Sequence, residues 1–142
     1  MQDLTLFIAN HLALTYSLAV VLILLLIVES LRAKRNTTTV TTATAVQLIN
    51  RDNAVVIDLR PQDAYRKGHI LDAYALSAKE IQEGSKKIEK LKTKPIILVC
   101  STGQESQKIA ALLTKQGYTS YSLLGGMRSW MDADLPLIKE GK

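Results

Sequence analysis

Cys100 has the chemistry of a nucleophile and a setting that suits one. It ends the apolar run PIILVC (95–100) and is followed by Ser101, Thr102, Gly103, Gln104 and Glu105, with a helix expected from about Ser106. Backbone N–H groups of a tight loop ahead of a helix converge on one point and make a cradle for an anion. The helix dipole adds partial positive charge there. A thiol so placed is expected to ionise below its ordinary pKa and to be partly thiolate at neutral pH, the form that attacks. Gly103 lets the loop turn where a side chain would clash. On residue type alone a lone Cys at a strand end is more often a small buried apolar group. The Gly-containing loop and the following helix are what favour a reactive thiol.

Metal chemistry is not expected. With one cysteine there is no CxxC pair or Cys/His zinc set, and His11 and His69 are far apart. No other cofactor is called for. Asp58 and Arg60 follow a second apolar run and are expected on the same side of the fold as Cys100. Arg60 would either help hold an anionic substrate or form a local ion pair with Asp58. His69 is a candidate acid/base group, though a supporting role in its turn is the commoner one. Trp130 reads as core, and Lys86, Lys87, Lys90, Lys92 and Lys94 as a solvated face or an anion-facing patch.

These residues need a scaffold, and the pattern supplies one. Residues 54–59 (AVVIDL) and 95–99 (PIILV) are short β-branched runs typical of buried parallel strands. Ala73–Leu76 is a weaker strand and Tyr118–Leu124 an alternating one. Helical segments separate them. One follows a cap at Thr41 or at Thr44, the latter paired with Gln47 in a capping box. One opens at Pro61. Two short ones lie within Lys79–Lys92, split at Gly84-Ser85, and one ends at Gly117. A last short helix carries Trp130. Val40 belongs to a first strand or to a Thr-rich linker. Strand–helix alternation predicts an α/β fold: a parallel sheet of about five strands with helices on both faces. Ligands of such folds bind beyond the carboxyl ends of strands, where Cys100 stands.

Ahead of this domain lies a different composition. Leu12–Val28 is 17 residues without charge, Gly or Pro, near the short limit for crossing a bilayer. Extension back through Leu6–Ala9 lengthens it at the cost of Asn10 and His11. A cleaved signal peptide would want a basic start and small residues at a cleavage site. The only charged side chain before the run is Asp3, and ESLRAKR follows it. A retained anchor over 1–31, a linker over 32–39 and a domain over 40–138 are therefore expected. Arg32, Lys34 and Arg35 follow the span and no Lys or Arg precedes it, which predicts an outside N-terminus and a cytoplasmic domain. A net charge of +5 suits an anionic membrane surface, and without an aromatic-rich basic patch nucleic acid is not an expected partner.

The soluble part resembles the rhodanese family from Val40 to Leu137. VIDLR followed by GHI (Asp58, Leu59, Arg60; Gly68, His69, Ile70) is similar to that family's first signature, and LLGGMRSWMDADLP (Gly125, Gly126, Trp130, Leu135, Pro136) to its closing one. CSTGQES aligns as the active-site loop between them. An anchor with one such domain is similar to small bacterial inner-membrane members. The resemblance implies a sulfurtransferase: Cys100 takes sulfane sulfur from a small donor as a persulfide, the loop Ser101–Ser106 cradles it, and a thiol acceptor removes it. The other class implied is a non-catalytic module that binds a membrane protein partner. Many family loops carry Arg or Lys beside the cysteine. This loop carries Glu105 instead, which would oppose a dianion such as thiosulfate. Phosphatases of related fold place Arg six positions after the cysteine, where this chain has Ser106.

Overall fold

The computed structural model describes residues 1–36 and 38–140, which fall into two compact units divided after Asn36. In the first, helix α1 (Gln2–Asn10) and helix α2 (Leu12–Asn36) are separated at His11, whose backbone leaves the helical region at φ −127°, ψ 39°. The backward extension of the apolar run thus belongs to a separate helix. Thr15 and Ser17 return their hydroxyls to the carbonyls of His11 and Leu14, so neither leaves an open donor in an apolar setting. Leu12–Arg32, 21 residues with mean hydropathy 2.5, is long and apolar enough to cross a membrane. The helix runs on to Asn36, so most of the stretch read as linker is helical, and Thr37 lies outside the described residues.

The second unit is the expected α/β fold. Five parallel strands run in the order β1-β5-β4-β2-β3, with β1 Thr39–Val40, β2 Val55–Asp58, β3 Tyr74–Ala75, β4 Ile96–Val99 and β5 Ser120–Leu123. Val40 belongs to an edge strand, paired with Leu123. Alternation along β4, the middle strand, divides the core in two. Ile97 and Val99 pack with Ala45 of helix α3 (Thr42–Asp52), Tyr65 of α4 (Gln62–Lys67) and Met127 and Trp130 of α8 (Gly126–Asp132). Ile96 and Leu98 pack with Ile81 of α5 (Ala78–Gln82), Ile88 of α6 (Lys86–Glu89) and Ile109 and Leu113 of α7 (Gln104–Lys115). The same parity continues one residue past the strand and turns Cys100 to the α7 side.

One local expectation needs correction, and one open alternative is decided. Helix α7 starts at Gln104, not near Ser106: Gly103 at φ 93° makes the turn and caps the helix, and Gln104 and Glu105 are good first-turn residues. The cap of α3 is Thr41, accepting the Thr44 N–H at 3.3 Å, so the Thr44–Gln47 box does not form. A capping box does form at Ser77–Glu80, with bonds of 3.2 and 2.7 Å, and starts α5 beneath the site.

Candidate active site

Cys100 is the first residue after β4, and the chain must pass from there into α7 in three residues, Ser101 to Gly103. The turn is tight because other elements press on it. A Cβ on Gly103 would stand 3.1 Å from the Leu123 carbonyl oxygen and 3.2 Å from the Gly125 nitrogen. One on Gly126, at φ 62°, would collide with the Cys100 carbonyl oxygen and the Gly103 nitrogen. With both side chains absent, the first turn of α8 reaches the loop. Met127 N–H donates to the Cys100 carbonyl at 2.9 Å and Arg128 N–H to the Ser101 carbonyl at 3.3 Å. The loop carbonyls are thereby bound from α8, which leaves the loop N–H groups to the sulfur. Gly103 of the loop and Gly126 of the closing motif thus let α8 clamp the loop.

The sulfur is 5% exposed as a residue. It accepts the Gly103 N–H at 3.0 Å and lies 3.5 Å from Ser106 Oγ, to which the neutral thiol donates. Burial pushes the Cys100 thiol up. Hydrogen bonding from the Ser106 hydroxyl, then from the backbone N–H groups of Ser106, Gly103 and Thr102, outweighs burial and holds the thiol below its ordinary value. The expected direction of the shift is met, by neutral donors alone.

Beside the sulfur is an open cavity of about 480 Å³. Ser101, Thr102, Gln104 and Glu105 line it with Cys100. Gly103 and Ser106 do not. Both are buried beneath it, and Ser106 is a helix residue behind the sulfur rather than a loop residue in front. Lys108 and Gln82 also line the cavity and were not singled out from sequence. With α7 starting at Gln104, Lys108 falls one turn later on the same face, a spacing readable once the helix start is right.

Asp58 and Arg60 are not brought to this cavity. Arg60 Nη2 meets Asp58 Oδ2 at 2.7 Å and the Gly68 carbonyl at 2.6 Å, while Nε reaches both carboxylate oxygens at 3.0 and 3.1 Å. The Arg60 N–H also donates to Asp58 at 3.0 Å. The guanidinium is spent on a local pair and on the turn at Gly68. His69 is buried, bonds the Tyr65 carbonyl through Nδ1 at 2.9 Å, and stacks on the Tyr65 ring at 3.9 Å. Trp130 is core, with Nε1 donating to the Pro136 carbonyl. Among the described residues no group of three potential metal ligands forms.

Residues 41–133 match the rhodanese-like domain family. Over 141 residues, 98% of this chain and 99% of the relative, the sequence is 33% identical to the uncharacterized protein YibN of Escherichia coli. Over 87 residues, 61% of this chain and 79% of the relative, it is 39% identical to the thiosulfate sulfurtransferase GlpE of Coxiella burnetii. The fold is similar to that of a rhodanese-related protein from Thermoplasma volcanium, with TM-score 0.65 and 22% identity over 72% of this chain and 98% of that one.

Proposed function

The chain belongs to the rhodanese-like domain family, and from that premise we propose that it is a sulfurtransferase tethered to the cytoplasmic face of a bacterial inner membrane by α2. The observation that supports the chemistry best is the Cys100 sulfur. It accepts a backbone N–H at 3.0 Å, with its ionisation favoured, at the floor of an open cavity.

The Cys100 thiolate attacks the outer, sulfane sulfur of a donor such as thiosulfate. The S–S bond of the donor breaks, sulfite leaves with the bonding pair, and Cys100 becomes a persulfide. An acceptor thiolate then attacks the outer sulfur, leaves as its own persulfide and returns Cys100 as thiolate. Loop N–H groups stabilise the negative outer sulfur in between. Glu105 disfavours a dianionic donor and Lys108, in the same cavity, partly offsets it, so thiosulfate is a poor donor. Positive charge after the span (Arg32, Lys34, Arg35) and none before it supports the orientation. The alternative class, a non-catalytic module that docks on a membrane protein, draws on the absence of Arg or Lys from residues 101–105.

Full-length protein in detergent, supplied with thiosulfate and a small thiol, should release sulfite steadily, and Cys100→Ala should release none. Equal release by both proteins would refute the assignment. For orientation, an export-dependent phosphatase fused to the C-terminus should be silent and a cytoplasmic fluorescent reporter bright; the reverse pattern would overturn it.

A further inference from the structure

Two buried hydroxyls behind the sulfur are not accounted for by the loop. Ser106 on α7 and Ser122 on β5 are both 0% exposed, and their Oγ atoms are 2.7 Å apart. Ser106 Oγ also lies 3.1 Å from the Gly103 carbonyl and 3.5 Å from Cys100 Sγ. Isolated hydroxyls in such a place would be costly, and a plain apolar pair would pack there without that cost.

We propose that Ser106 and Ser122 form a two-state hydroxyl relay that follows the charge on Cys100, with Ser106 bonding the sulfur and Ser122 acting through Ser106 as a positioning residue. In the neutral state the thiol donates to Ser106 Oγ, and Ser106 donates to the Gly103 carbonyl. When the thiol proton is lost to water at the open cavity, the Ser106 hydroxyl turns from the carbonyl to the sulfur. Ser122 donates to Ser106 Oγ in both states, so Ser106 keeps an acceptor role filled while its own hydrogen moves. The Gly103 carbonyl is not orphaned by the turn, because Gln107 N–H still donates to it at 3.2 Å. In the structure no buried side-chain oxygen of the set lacks a partner, and the turn of the Ser106 hydroxyl would create no orphan. The relay therefore stabilises the thiolate without placing a cation beside the nucleophile.

Glu105 and Lys108 of α7 line the cavity on the sulfur's open side. From α5 come the uncharged Ala78 and Gln82, and Asp58 on neighbouring β2 is paired with Arg60. None of these touches the hydroxyl pair. The proposal concerns the charge state of the sulfur and not what the sulfur attacks, so it stands apart from the sulfurtransferase reading.

The test is the rate of alkylation of Cys100 by iodoacetamide against pH, on full-length protein in detergent. Ser106→Ala should slow the reaction at pH 7 about tenfold and displace the profile to higher pH, since a hydrogen bond to a charged group is lost. Ser122→Ala should slow it about threefold in the same sense, and Ser122→Thr, which keeps the hydroxyl, should restore it. The double variant should match Ser106→Ala alone, because Ser122 acts through Ser106. An unmoved profile in folded Ser106→Ala, or additive effects in the double variant, would overturn the relay. Should Ser106→Ala not fold, Ser122→Ala decides the matter, and a profile identical to wild type would overturn it. Wild-type protein that alkylates readily at low pH yet takes up no sulfur would sink the sulfurtransferase reading and leave the relay standing.

Discussion

Strands β2 and β4 are neighbours in the sheet, with Asp58 paired in register to Val99, and their ends treat an anionic group in opposite ways. At the end of β2 the Asp58 carboxylate is 1% exposed and is met by the Arg60 guanidinium on both oxygens. At the end of β4 the Cys100 sulfur meets a backbone N–H and a hydroxyl, and it faces a cavity. A full cation stabilises an anion but caps it, and the paired Asp58 fixes the turn through the Gly68 carbonyl. Neutral dipoles favour the charged form less strongly and leave a lone pair free to attack. The first end is structural chemistry and the second is suited to reaction.

That contrast can be broken at either end. Cys100→Ser should abolish sulfur uptake from any donor while moving the melting temperature by no more than a few degrees. Loss of the fold instead would mean that the sulfur is a packing group. Arg60→Met should do the reverse. Leaving Asp58 buried and unpaired should cost about 3 kcal/mol or more of stability, read from denaturant unfolding, while the alkylation profile of the folded protein stays in place. A changed profile would mean that Arg60 serves the sulfur after all.

The pH dependence sharpens the same point. Donors to the sulfur lower the thiol's pKa, so thiolate persists to lower pH than in a free thiol. The rate of sulfur uptake should rise with pH and reach its plateau with a midpoint below about 8.5, the value for an unperturbed thiol. A midpoint at or above that would show that burial wins. The smallest effects belong to the cavity rim. Glu105→Gln should lower the Michaelis constant for thiosulfate about fivefold and Lys108→Gln should raise it by less, both differences shrinking at high salt. No change in Glu105→Gln would mean that the carboxylate points to solvent.

The two strand ends were not equally legible in the sequence. β2 and β4 are continuous apolar runs, and the parity of β4 alone sends Cys100 to the face covered by α7. Asp58 and Arg60 are two residues apart, so their pairing is local and was one of the two roles expected. Long-range closeness was not readable. Ser122 is 16 positions from Ser106 and reaches it because β5 is hydrogen-bonded to β4. Lys108 was missed through a two-residue error in the start of α7. Polar residues after Cys100 read as loop, whereas a glycine in the left-handed region lets the helix begin at once. The clamp from α8 depends on Gly103 and Gly126, whose separate motifs were visible and whose contact was not.

Acceptance of sulfur by Cys100 is read directly in the intact mass of the full-length protein. After incubation with a sulfane donor, thiosulfate or a more weakly charged polysulfide, wild-type protein should gain the mass of one sulfur atom. The gain should vanish on treatment with a thiol and be absent in Cys100→Ser. Folded wild-type protein whose mass is unchanged by every donor would rule out sulfur transfer at Cys100 and favour a binding module on the same fold.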